Sequence, residues 1–218
     1  MDKDRKKFTK LLFLLTGFFF AYPLLDDNNW AELILDLGMT FSLIWTLASI
    51  GRTKTLIATA ILTAMPIFTE RLINSYFPNK YLEVIQYSSF YVMQFWACVT
   101  ILKRILHTRD VVVEHILAAT CVYLLSCFMW ANIYSTLEII APLSFRILKP
   151  GASTFSDLLY FSTTTLTTNN FGDVIPIGQL SKALAAFEGL TGQLYIAIFI
   201  SYIVGAHGNR IRNKQSLP

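Results

Sequence analysis

Apolar residues along this chain fall into long blocks separated by short polar or charged joints. A membrane-crossing helix needs about 20 mostly apolar residues, and six blocks approach or exceed that length. They cover residues 8–25, 30–50, 55–77, 82–106, 111–143 and 181–205. The first follows a basic start and resembles a signal peptide only superficially. Its apolar run is too long, and Asp26-Asp27-Asn28-Asn29 is a poor cleavage context, so it reads as a retained span. Pro66 is expected to kink the third block, and Glu32 and Asp36 sit near the outer end of the second.

Residues 145–178 break the pattern. Lys149-Pro150-Gly151 precedes a short amphipathic stretch at 154–165, followed by polar Thr167-Thr168-Asn169-Asn170. That stretch is too short to span. Backbone outside a helix at membrane depth is tolerated only when buried in protein or lining water, which predicts a re-entrant loop beside an aqueous path. Ser153 or Thr154 is suited to cap its short helix, and the negative end of that helix favours a cation. One copy of the oxygen-rich run 167–172 supplies one wall of a pore. Four copies would stack rings of oxygen around an ion.

Composition agrees with a membrane location. Apolar residues make up 54% of the 218 residues, charged residues only 15%, and mean hydropathy is +0.51. A soluble domain has about 25% charged residues, so this chain lacks the charge to cover a globular surface. Seventeen Phe, ten Tyr and four Trp suit lipid and its interfaces. With both termini in the cytosol, thirteen of the 18 Lys and Arg lie inside, and Arg71, Lys80, Arg146, Lys149 and Lys182 lie outside. That asymmetry supports six spans in this orientation. The net charge of +4 adds nothing further, and no nucleic-acid partner is expected. Cys98, Cys121 and Cys127 sit in apolar runs without metal-ligand spacing and read as small buried hydrophobes.

The stretch Tyr160-Phe161-Ser162, Thr165-Leu166-Thr167 and Thr168-Asn169-Asn170-Phe171-Gly172-Asp173 resembles the pore loop of the tetrameric potassium-channel superfamily. That family's usual filter reads Thr-Val-Gly-Tyr-Gly-Asp. Downstream, Glu188-Gly189-Leu190-Thr191-Gly192-Gln193-Leu194-Tyr195 resembles its pore-lining inner helix. The specific match covers about residues 150–206; the first four spans agree only in number and topology. The resemblance implies an all-α integral membrane protein: six transmembrane helices, a re-entrant pore helix and filter loop between spans five and six, and a homotetramer. It divides the chain into a four-helix scaffold at 1–107, a pore domain at 108–208 and a short cytosolic tail at 209–218.

It also implies site residues. Monovalent cations would be held at Thr168, Asn169, Asn170 and Phe171, with Gly172 completing the filter. Thr167, Asp173, Tyr160, Thr164 and Glu188 would support it; Gly189, Gly192, Ala197, Ser201 and Gly205 would hinge or gate the inner helix. Two departures stand out. Asn169-Asn170 replaces Val-Gly, and Asn tolerates the left-handed backbone the first glycine normally supplies. Phe171 replaces Tyr and removes a bracing hydroxyl.

Other positions are weighed more plainly. Residues 84–102 carry no Lys or Arg, so the fourth span lacks a voltage sensor's charge ladder. Glu114-His115 reads as an interfacial helix start. Asp36 is an intramembrane carboxylate, a functional candidate by default, or it only reaches the outer interface. Of Gly189 and Gly192, one is expected to serve close packing. A transporter would show paired broken helices, and an intramembrane enzyme would show a nucleophile–base pair or HExxH; neither is present. The expectation is therefore a non-enzymatic channel for potassium or other monovalent cations, without cofactor. Its alternatives are a non-selective or sodium-permeable pore and a non-conducting regulatory subunit. The compact form suits a prokaryotic inner membrane.

Overall fold

The computed structural model describes residues 2–25, 29–50, 80–107, 113–148 and 155–215. Six helices and one small ribbon occupy them: α1 (Asp2–Leu25), α2 (Asn29–Ile50), α3 (Lys80–His107), α4 (Val113–Ile140), β1 (Phe145–Ile147), α5 (Phe155–Leu166), β2 (Val174–Pro176) and α6 (Gln179–Gln215). The expected third span, with Pro66, lies outside the described residues, as do Ser153 and Thr154. Among the described residues, Lys6–Leu25, Val113–Ile140 and Gln179–Tyr202 are long and apolar enough to cross a membrane. In α2 the apolar part is shorter, Ile34–Ile44, and α3 carries Lys80, Glu83, Gln86 and Gln94 along its length.

At the centre stands α4, packed against α3, α5 and α1. It is apolar on all sides, as a helix surrounded by other helices must be, and buries residues from Ala118 to Leu137. Ala118, Ala119 and Ala131 let neighbouring backbones come close, while Phe128 and Tyr134 fill the wider gaps. Between helices that leave lipid, such packing works through dispersion rather than expulsion of water. By contrast α6 buries little of its apolar length: Leu190, Leu194 and Ile198, spaced by four, are each more than half exposed.

Several boundaries differ from the sequence expectation. The fifth span stops at Ile140 rather than 143, because Glu138 folds back over its end. The Glu138 carboxylate accepts from the Leu143 N–H at 2.8 Å and the Phe145 N–H at 3.1 Å, and holds Leu143 at φ 67°. The last helix continues through Gln215, so most of the expected tail at 209–218 is helical. An all-α reading also misses the antiparallel pairing of β1 with β2, Phe145 opposite Pro176 and Ile147 opposite Val174. This ribbon joins the end of α4 to the start of α6. The Ser144 carbonyl reinforces the joint by accepting from the Ile177 N–H and the Ser181 hydroxyl.

Candidate functional site

The predicted loop residues come together at the end of α5. Three backbone bonds define that end: Thr168 N–H to the Thr165 carbonyl (3.0 Å), Asn169 N–H to Thr164 (2.8 Å) and Thr167 N–H to Thr163 (3.0 Å). The first two form a Schellman cap with its left-handed residue at Thr168, φ 61°. The expectation that an Asn would take the left-handed turn is corrected: the turn comes at Thr168, before the Asn pair. A β-branched residue there is strained by roughly 1–2 kcal/mol. The second positive φ in the loop falls at Gly172, 80°, where no side chain resists it.

The cap decides which carbonyls remain. Thr163, Thr164 and Thr165 spend theirs on the cap, with the Thr167 hydroxyl adding a bond to Thr163 at 2.7 Å. The Leu166 carbonyl accepts from the Tyr123 hydroxyl on α4 at 3.1 Å. Among the described residues, no donor of the chain meets the carbonyls of residues 168–171. Thr168, Asn169, Asn170, Phe171 and Gly172 are exposed, Phe171 by 73%. The Asn169 amide turns back to the Thr167 hydroxyl at 3.3 Å, and the Gln193 amide donates to the Thr168 hydroxyl at 3.2 Å.

Behind the loop lies a buried polar knot. Glu188 on α6 is 0% exposed. Its Oε1 accepts from the Ser162 hydroxyl at 2.6 Å and its Oε2 from the Tyr134 hydroxyl. Ser162 also contacts the Cys127 carbonyl at 2.9 Å. One carboxylate thus ties α4, α5 and α6 together. The fold places Glu188 inside, against the pore helix that the resemblance pairs it with. Tyr134, Tyr123 and Gln193 are absent from the predicted site. The available signal was a polar tip on an apolar helix, since a buried Tyr hydroxyl requires a partner.

The other support residues are accounted for individually. Thr164 bonds its own hydroxyl to the Phe161 carbonyl at 3.0 Å while its carbonyl serves the cap. Tyr160 feels the nearby Asp173 carboxylate, whose Oδ1 accepts from the Val174 N–H at 3.1 Å. Gly192 is the packing glycine: a Cβ there would lie 2.2 Å from the Leu166 carbonyl oxygen. At Gly189 the nearest atom is Thr165 O at 3.7 Å, an ordinary contact. Ala197 and Ser201 are exposed along α6, and Gly205 continues the same helix. The three cysteines are buried and unpaired by disulfide.

Comparison with known proteins meets this geometry. Residues 111–207, from the start of α4 into the last turns of α6, match the family described as "Ion channel". Over 55 residues the chain is 40% identical to the inward rectifier potassium channel Kirbac3.1 of Paramagnetospirillum magnetotacticum. That stretch spans 25% of this chain and 18% of the relative. No solved structure matches at a significant level. A short capped helix, a polar loop and the apolar helix that follows it all lie within the matched residues 111–207.

Proposed function

We propose that this chain is one subunit of a homotetrameric channel that passes potassium or other monovalent cations passively through a filter built at residues 168–172. The observation that carries this reading is the row of carbonyls at 168–171 that no donor among the described residues meets, beside the capped end of α5. A buried or lipid-facing carbonyl without a partner costs several kcal/mol, so these oxygens require water, an ion or another copy. Four copies around an axis supply rings of them, which replace a cation's hydration shell. The α5 C-terminus adds its partial negative charge behind them.

In this reading α5 enters the membrane and the chain returns through Gly172 to β2, forming a re-entrant loop between the fifth and sixth of six spans. Residues 1–107 form a scaffold outside the pore, and both termini lie in the cytosol of a prokaryotic inner membrane. The permeant ion is the only guest; no cofactor takes part. Gating falls to α6, with Gly189 free to bend and Ala197, Ser201 and Gly205 along the cytosolic half.

A less selective pore has a specific observation in its favour. With the left-handed turn at Thr168 and two exposed Asn side chains, the loop departs from a Val-Gly filter in backbone as well as in sequence. Flux of potassium, sodium and a large organic cation into proteoliposomes separates the cases, with Asn169→Val/Asn170→Gly as partner protein. Potassium well above sodium in the native protein makes the Asn pair part of a selective filter. Equal fluxes, with potassium preference in the double variant, make the pair the cause of a non-selective pore. Flux only from the variant identifies a non-conducting subunit, and flux from neither refutes the channel reading.

A further inference from the structure

Away from the filter, the bundle buries a second carboxylate that the channel reading leaves unused. Asp36 on α2 is 8% exposed. Its Oδ1 accepts from the Tyr22 hydroxyl of α1 at 2.7 Å, and its Oδ2 accepts from the Gln86 amide of α3 at 3.2 Å. It does not reach out to an interface, as one sequence reading allowed; it joins three helices. A carboxylate at membrane depth is expensive relative to an apolar residue and is a functional candidate by default. Helix packing alone needs no such group.

The residues that Asp36 fixes lead to the filter's own helix. The Tyr22 ring lies 4.9 Å from the ring of Phe155, the first residue of α5, and 6.1 Å from that of Phe128 on α4. From the other side the Tyr87 ring stacks on Phe155 at 6.2 Å and 14°. Tyr87 follows Gln86, so the bond from Gln86 to Asp36 sets the rotation of α3 that presents Tyr87. Tyr22, Asp36, Tyr87, Asn132 and Phe155 line one cavity, so the carboxylate and the clamped ring border the same space.

We propose that Asp36 is a positioning residue for the filter, acting through Tyr22 and Tyr87, which hold Phe155 and with it the outer end of α5. The proposal rests on the channel reading. Helix α5 has 12 residues, about 18 Å at 1.5 Å per residue. Its middle is pinned by Ser162 to Glu188 and its far end lies against Gly192. Phe155 and Leu166 stand on opposite sides of the Ser162 pivot, with lever arms of roughly 10 Å and 6 Å. A displacement at the clamp reaches the start of the filter reduced in that proportion. The scaffold thus acts on the filter from the outer side of the bundle without a charge ladder.

The test compares Tyr22→Phe, Phe155→Leu and their double variant in proteoliposomes, each with flux of potassium, sodium and methylammonium. Tyr22→Phe keeps the ring and removes the hydroxyl that donates to Asp36. Phe13→Leu, on an exposed part of α1, is the control. The expected result is at least a twofold change in one of the three flux ratios for each single clamp variant, none for Phe13→Leu, and a double variant no worse than Phe155→Leu alone. Ratios do not respond to a simple loss of folded protein, and equality of double and single marks one shared path. Unchanged ratios, or losses that add, overturn the proposal while the channel reading stands. If the native protein passes no cation, the channel reading fails instead. Amide hydrogen exchange at residues 156–162 then decides the clamp, faster in Tyr22→Phe if it exists and unchanged if it does not.

Discussion

Replacing Gly192 by alanine adds one methyl group to the place where α6 crosses the end of α5. The new Cβ would lie 2.2 Å from the Leu166 carbonyl oxygen and 3.0 Å from the Leu166 carbonyl carbon. Contacts under 3.0 Å are essentially never made, so the helices must part by at least the missing 0.8 Å. The obstacle is backbone, which no rotamer change relieves. That carbonyl also accepts the Tyr123 hydroxyl at 3.1 Å, and Gln193 reaches Thr168 at 3.2 Å from the next position along α6. The bond from Gln193 to Thr168 lengthens past useful distance if α6 retreats by that amount. Overpacking of this kind costs about 1–3 kcal/mol, against which the better helix propensity of Ala returns about 0.8–1 kcal/mol. The sum is a loss of stability together with a disturbed loop. Gly189→Ala provides the comparison, because its Cβ would meet Thr165 O at an ordinary 3.7 Å. Thermal unfolding in detergent should show Gly192→Ala below the native protein and Gly189→Ala equal or slightly above. Cation flux per reconstituted protein should fall in Gly192→Ala. A Gly192→Ala protein as stable and as conductive as the native one would refute the packing argument at its root.

Two further outcomes follow from the same contacts. Glu188→Ala leaves the buried Tyr134 hydroxyl without its acceptor, whereas Ser162 keeps the Cys127 carbonyl; the unmet donor alone costs about 1–3 kcal/mol. Adding Tyr134→Phe to Glu188→Ala should recover part of that loss in a chemical-denaturation series, and no recovery would mean that the hydroxyl is met elsewhere. Thr168→Gly removes a strained left-handed threonine worth roughly 1–2 kcal/mol, so its melting midpoint should not drop although a filter residue is gone. A clear drop would show that the bond from Gln193 to the Thr168 hydroxyl outweighs the strain.

What could be read from the chain alone divides by physical cause. The apolar blocks located α2, α3 and α4 to within a few residues, since length and hydropathy are local properties, whereas α1 and α6 run on into the charged sequence at the two ends, which hydropathy does not mark as helix. The short helix at 154–165 appears as Phe155–Leu166, because its limits are marked by Pro150-Gly151 before it and a polar run after it. Its C-cap was less legible. A Schellman turn usually announces itself by Gly, and here Thr168 takes the position under tertiary constraint. The end of α4 was misplaced for a similar reason: Glu138 closes the helix through two backbone donors that lie beyond it. Gly192 and Gly189 look alike in sequence, and only the approach of α5 tells them apart. Asp36 and Glu188 were visible as carboxylates in apolar blocks. Their partners, Tyr22 with Gln86 and Tyr134 with Ser162, come from other helices that no periodicity along one helix can connect.

The capped end of α5 and the outer surface of α6 impose opposite demands on their surroundings. A helix that simply frayed at residue 166 would leave its last four carbonyls open. Here the Schellman turn and Tyr123 consume them, and the open oxygens are displaced onto residues 168–171. Those oxygens, with the Asn169 and Asn170 amides, cannot face hydrocarbon. Leu190, Leu194 and Ile198 on α6, exposed only a short way along the next helix, gain nothing from water. A single chain has to satisfy a wet loop and a dry helix within the same slab of membrane. The proposed ring of four chains meets both demands together: the loops converge on a hydrated axis, while the apolar faces of α6 meet neighbouring copies or lipid. The strain at Thr168 is then the local cost of turning backbone oxygen away from the helix and toward the axis.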